Sequence, residues 1–209
     1  MPAKHKYYVV WHGRQTGIYS NWEDCAKQVT GFTGAEYMAF ENRAAAERAK
    51  RATYADYKGR RVSTLSPQRL AAIGAPIQNS YAVDAACSGN PGDLEFRCVH
   101  TQSKREVFRH GPYAQGTNNV GEFLALVHAL ALFTQQGVAL PIYSDSENAI
   151  AWVQAQRCRT RLVRGRQNAE LFEQIAWAEG WLAGRRYANK ILKWETEAWG
   201  EIPADFGRK

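Results

Sequence analysis

The sequence has no C-x-x-C pair: its four cysteines, Cys25, Cys87, Cys98 and Cys158, are scattered. That spacing argues against a disulfide framework and a cysteine-based zinc site, and it fits a reducing compartment. No stretch is long and apolar enough to span a bilayer. The segment Met1–Lys6 runs straight into a strand-like stretch and has no signal-peptide apolar core. The expectation is a cytoplasmic protein with no membrane partner and no evident obligate protein partner. What is present is an ordinary apolar fraction, 45% of 209 residues, enough for one domain of usual size and a small second one.

Acidic residues are scarce at the front of the chain. Residues 1–76 hold 12 Lys and Arg against 6 Asp and Glu, whereas residues 77–209 hold 15 against 14. The net charge of +7 therefore belongs mainly to the first third. A basic front suggests a polyanionic partner, most simply nucleic acid; a merely soluble basic protein is the plain alternative.

Residues 1–50 read as a small α+β module. Tyr7–Trp11 is strand-like, His12–Gly17 is a turn with two glycines, and Ile18-Tyr19 begins the return strand of a hairpin. Ser20-Asn21 precedes a helix through Cys25 and Val29. A strand near Tyr37–Phe40 follows, then a helix from Glu41 to about Ala55. So small a module cannot bury all of Tyr7, Tyr8, Trp11, Tyr19, Trp22, Phe32, Tyr37 and Phe40. Exposed aromatics beside basic side chains suit stacking on sugars and bases, although about half should be core. Residues 51–76 read as a basic linker carrying Lys58, Arg60, Arg61 and Arg69, with Leu65, Leu70 and Ile73 able to dock on a neighbour.

Residues 77–209 read as a β-β-β-α-β domain with a mixed sheet. Tyr81–Asp84 is the opening strand, ending at Asp84 before Gly89, Pro91 and Gly92. Leu94–His100 and Glu106–Arg109 are antiparallel strands, and Gly111–Gly116 is a loop. Thr117-Asn118-Asn119 caps a helix from about Val120 to Gly137, with Glu122 in its first turn. Val138–Tyr143 is a strand with Asp145 just past its end, and a short helix follows. Five arginines fall within 157–166. Beside a nucleic-acid site they would hold phosphates; the plain alternative is a solvated loop. Glu170–Ala183 is helical, and Lys190–Trp194 is the last strand.

An Asp at the mouth of a buried strand is costly unless its charge is compensated, and a metal ion is the usual compensation. For Asp84 alone, capping of a local turn is the better explanation. Glu122, Asp145 and Asp205 in comparable places change that balance. Four carboxylates meeting at one site repel strongly unless cations bind. An oxygen-only ligand set selects Mg²⁺ or Mn²⁺.

Two resemblances sharpen this reading. Tyr8, Val10, Gly13-Arg14, Thr16-Gly17, Trp22, Cys25, Val29, Phe32, Tyr37 and Phe40 resemble the hybrid-binding domain of eukaryotic-type ribonuclease H, the fold also found in caulimovirus viroplasmin. The match covers roughly residues 6–50. It implies that Tyr8, Trp22, Tyr37 and Arg14 meet an RNA/DNA hybrid, with Tyr8 and Trp22 on its DNA strand. Where the family has Lys-Lys, this chain has Met38-Ala39, which removes two phosphate contacts. Over residues 79–209, Asp84 with Gly89-Asn90-Pro91-Gly92, Thr117-Asn118-Asn119 with Glu122, and Ser144-Asp145-Ser146 resemble ribonuclease H, type 1.

That second resemblance implies a mixed five-stranded sheet flanked by helices. It also implies four metal-holding carboxylates (Asp84, Glu122, Asp145 and Asp205) and two Mg²⁺ ions, with Mn²⁺ able to substitute. Cleavage of the RNA strand would leave 5′-phosphate and 3′-hydroxyl ends. By the same resemblance Asn90, Asn118 and Glu147 lie near the RNA strand, and Thr117, Asn119 and Thr160 form a pocket for a DNA phosphate. Arg161 stands there in place of a small hydroxyl residue. The tail Trp199-Gly200-Glu201 with Ala204-Asp205 resembles a bacterial subgroup in which a Glu serves where other members use a His; the last His here is His128. Glu201 is thereby expected to help the second metal leave. Two other classes stay open: a transposase- or resolvase-like nuclease of the same fold, and a non-catalytic hybrid-binding protein.

Overall fold

A computed structural model describes residues 6–57 and 65–207. The chain divides into two compact units, Met1–Ala75 with Glu197–Gly200, and Pro76–Thr196 with Glu201–Lys209. Lys58, Arg60 and Arg61 of the expected linker lie outside the described residues.

In the first unit, β1 (Tyr7–His12) pairs antiparallel with both β2 (Gly17–Tyr19) and β3 (Glu36–Phe40). The helix α1 (Trp22–Val29) starts where the Asn21 side chain accepts the Asp24 N–H, as the capping signal requires. The helix α2 (Arg43–Arg51) ends sooner than its composition suggested. Ala52 turns extended, and the Asp56 carboxylate then accepts the Thr53 N–H and hydroxyl at 2.9 and 2.8 Å. Val9, Phe40, Ala45, Ala46 and Ala49 form a small core, closed at one side by Tyr57. In the 51–76 stretch, Ser66 caps a short helix, α3 (Pro67–Ile73), which has no buried residue. Leu65, Leu70 and Ile73 are half-buried.

The second unit is the mixed five-stranded sheet expected of the ribonuclease H pattern, in spatial order β6-β5-β4-β7-β8. The antiparallel part is β4 (Tyr81–Cys87), β5 (Gly92–His100) and β6 (Glu106–Gly116). The strands β7 (Ile142–Ser144) and β8 (Ile191–Lys193) extend it in parallel from β4. Helices α4 (Asn118–Gln136), α5 (Glu147–Gln154) and α6 (Ala169–Gly184) flank it, and α7 (Thr196–Trp199) precedes the tail. Leu171, Ile175, Ala178 and Leu182 of α6 are buried, as their helical spacing implies.

Two strands run further than the sequence suggested. The strand β4 does not stop at Asp84: its pairing with β5 carries on to Cys87 opposite Leu94. The stretch 111–116 is strand, not loop. Gly111 and Pro112 look like breakers, but β6 is an edge strand, where Pro costs no ladder bond. At Gly111 φ is +103°, and a Cβ would lie 2.4 Å from the Leu94 carbonyl oxygen, so the irregular register there needs glycine. In contrast β7 is shorter than expected. Before it, the Asn189 amide donates to the Val138 and Leu140 carbonyls at 2.9 and 2.8 Å, and the Pro141 carbonyl accepts the Tyr81 N–H at 2.9 Å.

Candidate active site

The parallel pairing of β4 with β7 ends at Ala82 opposite Tyr143, while β4 continues beside β5. Asp84 therefore stands past that pairing, and Asp145 follows directly on β7. Glu122 comes from α4, which begins at Asn118 and not near Val120. Glu122 thus lies beyond the first turn, so a simple helix-dipole role does not account for it. Its neighbour Gly121 sets the depth of α4. A Cβ there would meet Leu94 Cδ1 at 2.5 Å and Ala85 Cβ at 2.6 Å. The close approach of helix to sheet brings the third carboxylate to the other two. One oxygen each from Asp84, Glu122 and Asp145 lies within 4.8 Å of the others.

These groups, with Asn118, Asp205 and Phe206, line a cleft of about 480 Å³. Asp205 enters it from the irregular tail. Burial, followed by the neighbouring Asp145 charge, raises the Asp84 carboxyl to about 8. Burial also raises Glu122, with Asp145 adding to it; a hydrogen bond from Ser146 and the charge of Lys193 oppose the shift. Burial again raises Asp145, Lys193 opposes, and Glu201 and Asp205 add like charge. Glu201 is exposed, yet it stands near enough for its charge to reach Asp145.

The chemistry of this donor set fits a hard divalent cation. All the ligands are carboxylate oxygens, and each gains by keeping its charge beside a cation. Asp145 Oδ1 supplies a direct sign: it is buried with no hydrogen-bond partner among the described residues. A buried, unpaired carboxylate oxygen is costly unless it faces a ligand.

Comparisons with known proteins agree. Residues 6–49 match the family described as ribonuclease H1 N-terminal domain, and residues 78–181 match RNase H. The chain belongs to the ribonuclease H family. A ribonuclease H of Neorickettsia sennetsu is 36% identical over 77 residues, covering 34% of this chain and 51% of that protein. One from Crithidia fasciculata is 57% identical over 37 residues, covering 18% of this chain and 8% of the relative. The chain thus spans about half or less of the length of these curated relatives. The solved structure of LC11-RNase H1, isolated from compost, is 22% identical, with 57% of this chain and 88% of that chain covered at a TM-score of 0.35. At that score the sheet order itself, not the superposition, defines the fold.

Within the ribonuclease H domain a second cleft, of about 440 Å³, is lined by Asn90, Thr117, Asn119, Asn148, Trp152, Arg159, Thr160, Arg161 and Leu162. It gathers the three residues of the expected phosphate pocket, together with Arg161 and Asn90. Thr117 is the N-cap of α4 by backbone only; its side chain makes no capping bond, which leaves the hydroxyl to the cleft. Asn118 lines the acidic cleft instead, while Glu147 is exposed in the first turn of α5.

In the first unit Trp22 and Tyr37 are 46% and 39% exposed. Trp22 lies 5.5 Å from Tyr8 and 5.8 Å from Tyr37 between ring centroids, so the three form one aromatic run. Trp11 is committed elsewhere, its indole donating to the Ala49 and Ala52 carbonyls. Arg14 donates to the Lys27 and Thr30 carbonyls at 3.0 and 2.8 Å, so this guanidinium holds the end of α1.

Reasoning from the sequence assigned no role to Lys193 or Arg97, and none to Ser146 beyond its place in a motif. A lysine closing a strand gives no signal by itself; it matters because β8 pairs with β7 at Ser144 opposite Lys193, one residue before Asp145. Ser146 was visible only as part of the Ser144-Asp145-Ser146 motif; it caps α5 by accepting the Ala149 N–H at 3.2 Å.

Proposed function

We propose that the chain is an endoribonuclease that hydrolyses the RNA strand of RNA/DNA hybrids, leaving 5′-phosphate and 3′-hydroxyl ends. One observation carries this reading: Asp84, Glu122 and Asp145 converge within 4.8 Å at a cleft of a ribonuclease H sheet. Asp84, Glu122, Asp145 and Asp205 would hold two Mg²⁺ ions, for which Mn²⁺ would substitute. When bound, such ions supply activation of water and stabilisation of the leaving oxygen.

The rest is the work of the chain's own residues. The four carboxylates would act on the phosphodiester only through the cations they hold, since carboxylates alone repel a phosphate. Asn118, in the acidic cleft, together with Asn90 and Glu147, tests for the 2′-hydroxyls that distinguish RNA from DNA. Thr117, Asn119, Thr160 and Arg161 take a phosphate of the DNA strand, which sets the register of the duplex. Tyr8, Trp22 and Tyr37 form a stacking face for the hybrid. Arg14, engaged with the end of α1, contributes to that face by holding its framework. Glu201, exposed and with its charge reaching Asp145, would assist product release rather than the chemical step. The basic residues of 51–76 add weak phosphate contact.

The test is cleavage of a labelled RNA/DNA hybrid, with double-stranded RNA and double-stranded DNA controls, with and without Mg²⁺. Cutting of the hybrid alone, dependent on the cation, is expected. Cutting of double-stranded DNA would favour the transposase- or resolvase-like alternative. Binding without cutting would favour a non-catalytic hybrid-binding protein.

A further inference from the structure

Three of the four acidic groups stand on or next to regular elements, whereas Asp205 stands on a tail without helix or strand. What holds that tail in place is a side chain from the middle of the sheet. Arg97, in β5, donates through Nε to the Ala204 carbonyl at 2.8 Å and through Nη2 to the Asp205 carbonyl at 2.6 Å. The same guanidinium lies 4.7 Å from the centroid of the Phe206 ring, and that of Arg109, in β6, lies 5.1 Å from it. Glu106 keeps both arginines in place, accepting from Arg97 at 3.4 Å and from Arg109 at 2.9 Å. The Asp205 carboxylate in turn accepts the Gly207 N–H at 3.0 Å.

We infer that Arg97 is a positioning residue: its grip on two successive carbonyls, with Phe206 seated on the Arg97 and Arg109 guanidinia, sets where the Asp205 carboxylate stands in the acidic cleft. The inference rests on the proposed function only for its consequence on cleavage. Its geometry needs the planar fork of an arginine, because two carbonyls of neighbouring residues are taken by two nitrogens of one rigid group. A lysine would keep the charge and lose the fork. The Arg97→Lys substitution therefore separates orientation from electrostatic field. The link spans the sequence: Arg97 and the tail carbonyls lie 107 and 108 residues apart.

The experiment uses the full chain, with Arg97→Lys and Phe206→Ala beside wild type. Amide exchange over residues 204–207, Mn²⁺ binding followed by the loss of free-Mn²⁺ resonance, and steady-state cleavage are measured together. In Arg97→Lys, exchange of the tail amides should rise roughly tenfold while the β4 and α4 amides stay protected. Mn²⁺ binding should weaken several-fold, and kcat should fall about 10- to 100-fold with KM within about twofold. Phe206→Ala, which leaves the sheet intact, should move the same readouts in the same direction. Wild-type exchange and Mn²⁺ binding in both variants would overturn the inference. So would faster exchange spread evenly over the whole second unit, which would make Arg97 a plain stabiliser. If wild type itself cuts no hybrid, the proposed function fails, while the exchange and Mn²⁺ readouts still decide the role of Arg97.

Discussion

At the scale of the residue, Asp84 illustrates the design of the cleft. Its carboxyl, ordinarily near 3.8, is raised to about 8, so the folded chain binds a proton there more tightly than the unfolded one. The sign follows: the metal-free protein loses stability as pH rises from about 4 to 8. The buried His128, pushed down to about 4, contributes the opposite slope, but only below its ordinary value of 6.5. Above pH 7 the carboxyl effect is joined, towards pH 9, by the buried Cys98 and Cys158 thiols, which burial raises and which add the same sign. Thermal melts in EDTA at pH 7 and 8.5 should show a falling Tm that Asp84→Asn makes shallower, a difference of at most about 2 kcal/mol. A slope unchanged in the variant would show that Asp84 is not the group responsible. Glu201 acts differently, being exposed and close to Asp145 only through its charge. Glu201→Gln should cleave at the wild-type rate in a single turnover and turn over severalfold more slowly at steady state, with an altered Mg²⁺ response. Loss of the single turnover would make Glu201 a ligand; two unchanged rates across the metal titration would make it a surface residue. The ion pair with Arg208 or Lys209 considered from the sequence lies outside the described residues.

At the scale of the element, the site depends on how closely α4 approaches β4. Gly121→Ala places a methyl group against Leu94 and Ala85, so it should cost about 1–3 kcal/mol and displace Glu122. Denaturant melts and cleavage rates should fall together; unchanged values for both would mean the helix shifts freely. The elements were largely legible because their signals are local. Alternation marked β5, the spacing of Leu171, Ile175, Ala178 and Leu182 marked α6, and Gly137 marked the left-handed end of α4. The far half of β6 was hidden because Gly111 and Pro112 signal a break, and only a place at the sheet edge makes them tolerable. Asp84 and Asp145 were legible as acids at strand ends, whereas Glu122, on a helix, and Asp205, on the tail, were legible through the resemblance to ribonuclease H. The grip of Arg97 on the Asp205 tail was not, since it joins residues more than 100 positions apart and leaves no periodic trace.

At the scale of the whole molecule, charge and chemistry are segregated. The acidic cleft lies in the second unit, and most of the net positive charge lies before it. Residues 77–209 alone should therefore still cut hybrids, with a raised KM and lower processivity; a folded but inert fragment would contradict that division of labour. The central claim is that a cation held by Asp84, Glu122 and Asp145 makes the cleft a nuclease. It is tested most directly by Asp145→Asn, which removes the carboxylate whose buried oxygen has no other hydrogen-bond partner among the described residues. Wild type and variant are compared for hybrid binding and for Mg²⁺-dependent cleavage in one assay. Binding within about twofold of wild type, an intact fold, and cleavage lowered by about three or more orders of magnitude, on the scale of metal-assisted electrostatic catalysis, is the expected result. Near-normal turnover in Mg²⁺ would contradict it.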